Sequence, residues 1–399
     1  MNKGFKILLI LAVAAVALAV GKSFTVINLS ERAIVVGIGI DFDTQYEVTV
    51  EIIVPQSPTG ESAAGGAKKT VSGKGETVGL ALRDLYNGFG KTPSFGECCI
   101  IVLGKDCAER CNLKDSLNFF YKSDAFKDGT LVAVFDGKAG ELFERKTQID
   151  EYISFALETL LLTGGKRAQI PHATLNDVMM SQKTASGGGF VNLITFKDEQ
   201  TGGGNGSGGN GSGGGNGGGG NGNEKPKEGK FVTDRLALFK QDVMCGEISR
   251  DEISGYNLYN AKKAFTVFLA EIEGKKYALG VVNQHNKTEY VAEKGGVAVK
   301  VEIKIKIKEM ATDTTGDVSP LLPKLAAELP PLVKKEAERQ AAVFVGKIFD
   351  ACAKYDCDIL KIRDNVYAKY GQKAAEAISK EGEDFWNSVK LDVTVKAEG

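Results

Sequence analysis

Histidine is nearly missing from this chain: His172 and His285 are the only two among 399 residues. Zinc sites and nucleophile–base pairs draw on histidine, so both chemistries are short of material. His172 follows Pro171 in a loop, His285 falls in the polar stretch Asn283 to Asn286 and is read as a turn residue, and neither has a carboxylate at helical spacing. Excess charge of one sign is lacking too. Lys+Arg 50 against Asp+Glu 51 leaves a net charge of −1, so bulk electrostatics favours neither nucleic acid nor an anionic membrane. There is no C-x-x-C and no G-x-S-x-G. Gly21-Lys22-Ser23 has the end of a phosphate loop, but Val16 stands where its first glycine is required. Asp41 and Asp43 flank a tight turn, where aspartate is expected for turn chemistry alone. No catalytic, cofactor-binding or metal-ligating residue is nominated, and no cofactor is expected.

Cysteine is present without a framework. Seven is an odd number, and Cys98 and Cys99 are adjacent on a predicted strand, so they point to opposite faces. Cys107 and Cys111, or Cys352 and Cys357, are spaced for a local bridge; otherwise the thiols behave as small apolar residues.

What the chain does have begins at its N-terminus. Lys3 and Lys6 precede an unbroken apolar run, Ile7 to Val20 (ILLILAVAAVALAV), the pattern of an export signal. As a helix the run covers about 21 Å at ~1.5 Å per residue. A bilayer core is about 30 Å thick, so a stable span requires continuation past Lys22 to Ile27 with that lysine snorkelling. The alternative is a cleaved signal, with Ala17-Leu18-Ala19 as an A-x-A site. Either way the body is expected on the far side of a membrane.

The body reads as α+β and multi-domain, with mixed or antiparallel sheets, packed helices and an N-terminal signal or anchor helix. Ala33 to Asp41 and Tyr46 to Val54 predict a hairpin, and Pro55 to Gly75 is a loop by composition. Glu76 to Phe89 is a helix, Glu97 to Leu103 a central strand, Leu113 to Tyr121 a helix capped by Asn112, and Thr130 to Phe135 another strand. Helices follow at Asp150 to Leu162 and Thr174 to Met180. Thr201 to Asn223 has no apolar side chain to bury and is expected to be disordered, a loop between the strands Phe190 to Phe196 and Arg235 to Phe239. Farther on, Phe265 to Ile272 and Lys276 to Val282 predict a second hairpin. Val297 to Ile307 alternates strictly, with Lys300, Glu302, Lys304 and Lys306 on the wet face. Leu332 to Tyr355 is a long amphipathic helix whose stripe of Val333, Ala337, Ala341, Phe344, Ile348, Cys352 and Tyr355 must cover that sheet. A shorter helix at Arg363 to Tyr370 and a strand at Leu391 to Val395 end the pattern. The expected organisation is a signal or anchor at 1–27, an N-terminal α+β domain at 28–185, a small middle domain at 186–262 carrying the Gly/Asn/Ser loop at 201–230, and a C-terminal antiparallel sheet with its long helix at 263–399.

This order of segments resembles the Ger(x)C family, the C subunits of bacterial spore nutrient germinant receptors, from about Asn28 to the C-terminus. Asn28 to Ala33 running into IVVGIGID resembles the family's opening strand. Gly75-Glu76-Thr77 with Ala81 to Leu85, Phe95-Gly96, Asp115 to Phe120 and Pro171 to Val178 follow in the family's order. Leu236 to Lys240 with Gly246 and Glu247 is similar to its next hairpin. The closing block matches best: the alternating strand, the long helix, Cys357-Asp358-Ile359, Tyr367 to Tyr370, and Phe385-Trp386 before the last strand. Three features depart from the family. Lys22 follows Leu18 to Gly21 where the lipobox cysteine is expected, so an uncleaved helix anchor is the expected substitute for lipidation. Glu97 replaces the family's histidine, and the Gly tract is longer than usual. The resemblance implies a non-enzymatic subunit at the outer face of the spore inner membrane, beside two integral membrane subunits of A and B type. It implies a role in assembly or signalling, no nucleic-acid partner, and leaves direct germinant binding open. The alternative is an anchored extracytoplasmic ligand-binding or scaffold protein.

Overall fold

The computed structural model describes residues 32–54, 67–145, 151–166, 170–198, 229–260, 266–272, 274–312, 318–323 and 329–399, together with Gly4. The expected anchor at 1–27 and most of the loop at 201–230 lie outside the described residues.

Alternation builds the first sheet. β1 (Arg32–Phe42) and β2 (Tyr46–Val54) form the expected hairpin, with Ile40 opposite Val48. β3 (Ala67–Gly75) replaces part of the loop expected over Pro55 to Gly75: it pairs with β2 from Tyr46–Gly75 to Val54–Ala67. Its lysines suit an edge strand. Its glycines serve close packing and not a turn, since a Cβ on Gly73 would stand 2.3 Å from the Ala81 carbonyl oxygen. β4 (Thr92–Ser94) adds a short pairing to β1. β5 (Ile100–Gly104) and β6 (Leu131–Phe135) are buried at every position, as strands covered on both faces are; β5 lies parallel beside β1, and β6 parallel beside β5. β7 (Ala173–Thr174) pairs with β6, β8 (Gly188–Asp198) lies parallel to β6, and β9 (Gly229–Lys240) and β10 (Val243–Ile248) continue antiparallel. The order is β10-β9-β8-β6-β5-β1-β2-β3. Residues 188–248, much of the stretch set apart as a middle domain, thus supply three strands of this sheet. Asp198 and Gly229 are register partners, so the Gly tract joins the ends of one antiparallel pair.

Helices cover both faces. α1 (Val78–Phe89) starts at Thr77, whose hydroxyl accepts from the Leu80 amide at 3.2 Å, and stops at Gly90 with φ 66°. α2 (Lys105–Arg110) and α3 (Leu113–Tyr121) lie on the same face, with Leu82, Cys107, Leu117 and Phe120 packed on Ile101, Leu103 and Val132. α4 (Ala139–Leu142) and α5 (Ile153–Lys166) cover the opposite face, with Leu142, Ile153 and Leu157 on Ile100, Val102 and Ala133. α6 (Leu175–Ser181), opened by a Thr174–Asp177 capping box, returns to the first face.

One buried carboxylate seats α5. Glu51 of β2 is fully buried and accepts from the Ile153 amide at 3.0 Å, the Ser154 amide at 2.8 Å and the Ser154 hydroxyl at 2.5 Å, while Lys68 Nζ stands at 3.2 Å. A negative charge against the orphan amides of a helix start is favourable, and the lysine offsets its desolvation.

The second unit is a sheet folded over one helix. α7 (Arg250–Tyr259) leads into β11 (Val267–Ile272), β12 (Lys275–Glu293), β13 (Gly296–Thr312) and β14 (Val318–Pro323). α8 (Pro331–Tyr355) lays Val333, Ala337, Ala341, Val345, Ile348 and Cys352 against Val299, Val301, Ile303 and Ile305. Val345 takes the core position expected of Phe344, which is half-buried and stacks on Phe268 at 5.8 Å. α7 crosses α8 so closely that a Cβ on Gly255 would stand 1.9 Å from the Phe344 carbonyl oxygen. After α9 (Ile362–Tyr370), α10 (Ala375–Ile378) and α11 (Gly382–Asn387), β15 (Val389–Glu398) closes the sheet parallel to β13. That parallel pairing corrects the all-antiparallel C-terminal sheet expected from the sequence. His285 is likewise not in a turn: β12 runs through it, and it is exposed opposite Lys304. On this solvated face Lys287 opposes Glu302, and Lys300 lies between Glu289 and Asp392.

Removing the Glu51 carboxylate strands two helix-start amides and a partly buried lysine. Glu51→Ala is expected to lower unfolding stability by about 2–4 kcal/mol, read as a lower midpoint in denaturant with an unchanged slope.

Candidate functional site

The two units meet along β9, whose side chains alternate between cores: Ala237 and Phe239 enter the first, Leu236 and Leu238 the second. The joint itself is the turn between α8 and α9. Asp356 ends α8 in the left-handed region at φ 47°, and Lys361 opens α9 at φ 56°. The residues between them turn their polar groups back onto the first sheet.

Each of three consecutive residues makes one such bond. Asp356 accepts from Lys240 Nζ at the end of β9 and, through its other oxygen, from Trp386 Nε1 at 2.9 Å. The Cys357 thiol donates to the Phe239 carbonyl at 3.2 Å. Asp358 is fully buried and accepts from the Ile362 amide at 3.0 Å, the Arg363 amide at 2.9 Å and the Ser186 hydroxyl at 2.8 Å. Ser186, just before β8, also donates its amide to Asp364 at 2.9 Å and accepts from the Asp364 amide at 3.2 Å. Asp358 thus caps α9 while holding the entry to the first sheet. Burial pushes its carboxyl above the ordinary range, against the pull of the Arg363, Ile362 and Ser186 donors. Gly188 lies flat on this turn, its would-be Cβ 2.9 Å from the Asp358 backbone.

A second cluster sits at the carboxyl ends of β5 and β6. Lys105 reaches Asp136 at 3.2 Å and Glu247 at 2.7 Å, and Arg235 reaches the same two acids at 3.0 and 2.6 Å. Burial raises the Asp136 pKa, but hydrogen bonds from Arg235 and Lys105 outweigh it, leaving the carboxyl below its usual range. The closed ring of four ties β5, β6, β9 and β10 together; each pair alone is half-exposed and weak, and the ring is what gives it rigidity. Asp41 nearby does more than turn chemistry: its two oxygens accept from the Ala139 and Gly140 amides, both at 2.8 Å, at the start of α4. Beside Glu247 a shallow cleft of about 250 Å³ runs between β10, α7 and α8, lined by Glu252, Lys347, Asp350 and Tyr355. Most of its charges are engaged, Lys347 with Asp251 and Glu252 with Ser249.

The two histidines are not brought together: His172 precedes β7, and His285 is on the outer face of β12. Among the described residues no group of three or more His, Cys, Asp or Glu is placed to hold a metal. All seven cysteines are free, including the two pairs whose spacing would allow a local bridge, and Cys98 and Cys99 face opposite cores. No helix among the described residues is long and apolar enough to cross a membrane. What the turn between α8 and α9 brings together is a set of polar groups far apart in sequence, bonded to one another between two apolar cores.

Comparison with known proteins gives three results. The sequence profile of the spore germination protein N-terminal domain matches residues 26–196, and that of the spore germination B3/GerAC-like C-terminal domain matches residues 234–398. The crystal structure of the GerBC protein is similar in fold, with a TM-score of 0.50 and 16% identity over 91% of this chain and 97% of that one. No curated protein matches in a direct sequence search.

Ser186→Ala removes one donor and one acceptor from the joint. It is expected to cost about 1–3 kcal/mol and to speed hydrogen exchange at the first amides of α9 more than in α5. Because the carboxyl's pKa is raised on folding, the folded chain holds the Asp358 proton more tightly than the unfolded chain does. The carboxyl's contribution is therefore full below the ordinary carboxylate range and declines as pH rises through its elevated pKa. The stability gap between the wild type and Asp358→Asn, measured in denaturant across the acid range, is expected to be largest at the lowest pH and to narrow upward.

Proposed function

The chain belongs to the spore germination B3/GerAC-like family, and from that membership we propose that it serves as the C-type, non-catalytic subunit of a nutrient germinant receptor. The observation that carries the reading is the pair of family domains, in order and covering both structural units. The body sits outside the membrane, tethered through the apolar run Ile7 to Val20, and works beside two integral membrane subunits of A and B type. Its contribution is assembly of that complex or transmission of its signal.

The joint supports the second role. Signal transmission through a body of two units requires that displacement of one move the other, and Asp356 to Asp364 is where backbone and side-chain bonds cross between them.

The test is genetic and biochemical together. In a spore-forming host, deletion of this chain is expected to abolish germination triggered by one class of nutrient while leaving other triggers intact. A tagged copy is expected to recover two multi-span membrane proteins from detergent-solubilised spore membranes. Recovery of the full-length chain from the soluble fraction alone, with germination unaffected by its loss, would contradict the proposal.

A further inference from the structure

We infer that Cys245 and Cys357 form a modification site, a thiol pair that a disulfide donor oxidises to a bridge between β10 and the joint. Cys245 is half-buried on β10 beside the bulge at Met244/Gly246, and Cys357 is fully buried at the end of α8. Both thiols point at one short piece of β9: Cys245 donates to the Leu238 carbonyl at 3.5 Å and Cys357 to the Phe239 carbonyl at 3.2 Å. The elements around them are in direct contact, the Gly246 backbone lying against the Tyr355 ring so closely that a Cβ on Gly246 would stand 2.3 Å from it. The two thiols are within hydrogen-bond reach of each other.

The remaining thiols have less to link. Cys98 donates to the Ile100 carbonyl and Cys99 to the Val36 carbonyl, on opposite faces of the sheet. Cys107 and Cys111 occupy one helical turn, so a bond there would restrain little that the turn does not already hold. Cys352 is buried in the stripe of α8 that packs on the second sheet. Only Cys245 and Cys357 combine a partly open thiol with a partner from a distant element.

The order of events follows from the same surroundings. The hydrogen bond with Cys357 holds the Cys245 thiol below its ordinary pKa against burial, and that bond together with burial raises Cys357. Cys245 loses its proton and attacks one sulfur of the donor, expelling the other as a thiolate and leaving a mixed disulfide. Cys357 then gives up its proton and attacks the Cys245 sulfur, releasing the second half of the donor. Two thiols of the protein are oxidised by two electrons, and the donor's disulfide is reduced to two thiols. The reading of the chain as exported enters only by supplying a compartment where such donors persist.

The experiment uses the purified full-length chain and oxidised glutathione. Peptide mapping without reduction is expected to find one Cys245–Cys357 link, with the other five thiols of seven still open to alkylation. The oxidised protein is expected to melt several degrees higher than the reduced one, because the bridge closes a long loop in the unfolded chain, and dithiothreitol is expected to reverse the gain. Cys245→Ser and Cys357→Ser each remove the link, and Cys352→Ser leaves it. Full alkylation of all seven thiols after oxidation, a link mapped to Cys352 or within Cys107–Cys111, or a lower melting point on oxidation would each overturn the inference. Mapping and melting of the wild type decide the matter even if a serine variant fails to fold. A negative result here leaves the receptor reading standing, and absence from a receptor complex would not touch the thiol pair.

Discussion

A single buried carboxylate sets how the two halves of this protein sit together. Asp358 accepts from Ser186, at the entrance to one sheet, and from the first amides of the helix that flanks the other. Burying a carboxyl without partners costs several kcal/mol, and here three donors offset part of that cost. The donors come from segments more than 170 residues apart in the chain, so they converge only when both units are folded and docked. Lys240 on Asp356 and the Phe239 carbonyl on Cys357 repeat the arrangement in the two residues just before it. Apolar packing along β9 supplies area, but area is non-directional. The polar turn gives the interface one geometry.

Much of the architecture was readable because it follows simple periods. The strict alternation of Val297 to Ile307 and the stripe from Val333 to Cys352 require two surfaces that cover each other, and they do. The unbroken apolar strands at Ile100 and Leu131 require cover on both faces, and helices provide it. What failed to show has a common cause. In Ala67 to Gly75 the glycines read as turn residues, when they were clearance for α1; local composition does not reveal what crosses above a strand. His285 reads as part of a polar turn, but a two-faced strand with one wet side carries the same polar residues. The parallel docking of β15 on β13 is a long-range choice with no local signature.

The joint was half legible. Cys357-Asp358-Ile359 stood out through family resemblance, but nothing nearby in the chain announced Ser186 or Lys240 as partners. An aspartate before a helix is so common a cap that its second role, reaching across to another unit, is invisible without coordinates. Asp41 is a similar case: the turn role assigned to it is real chemistry for an aspartate, yet the amides it bonds belong to α4, almost a hundred residues later. The charged ring of Lys105, Asp136, Arg235 and Glu247 draws each member from a different part of the chain and had no spacing to betray it.

The pairing of Asp198 with Gly229 has a practical side. The two strands on either side of the glycine-rich segment are locked in register by their own ladder and by residues buried in the cores, so the alignment does not depend on what connects them. Closing a longer connection adds only about 0.6 kcal/mol for each doubling of its length. That makes the segment a natural port for a fluorescent or affinity insert, through which an intact copy could be followed in place while both chain ends stay as they are.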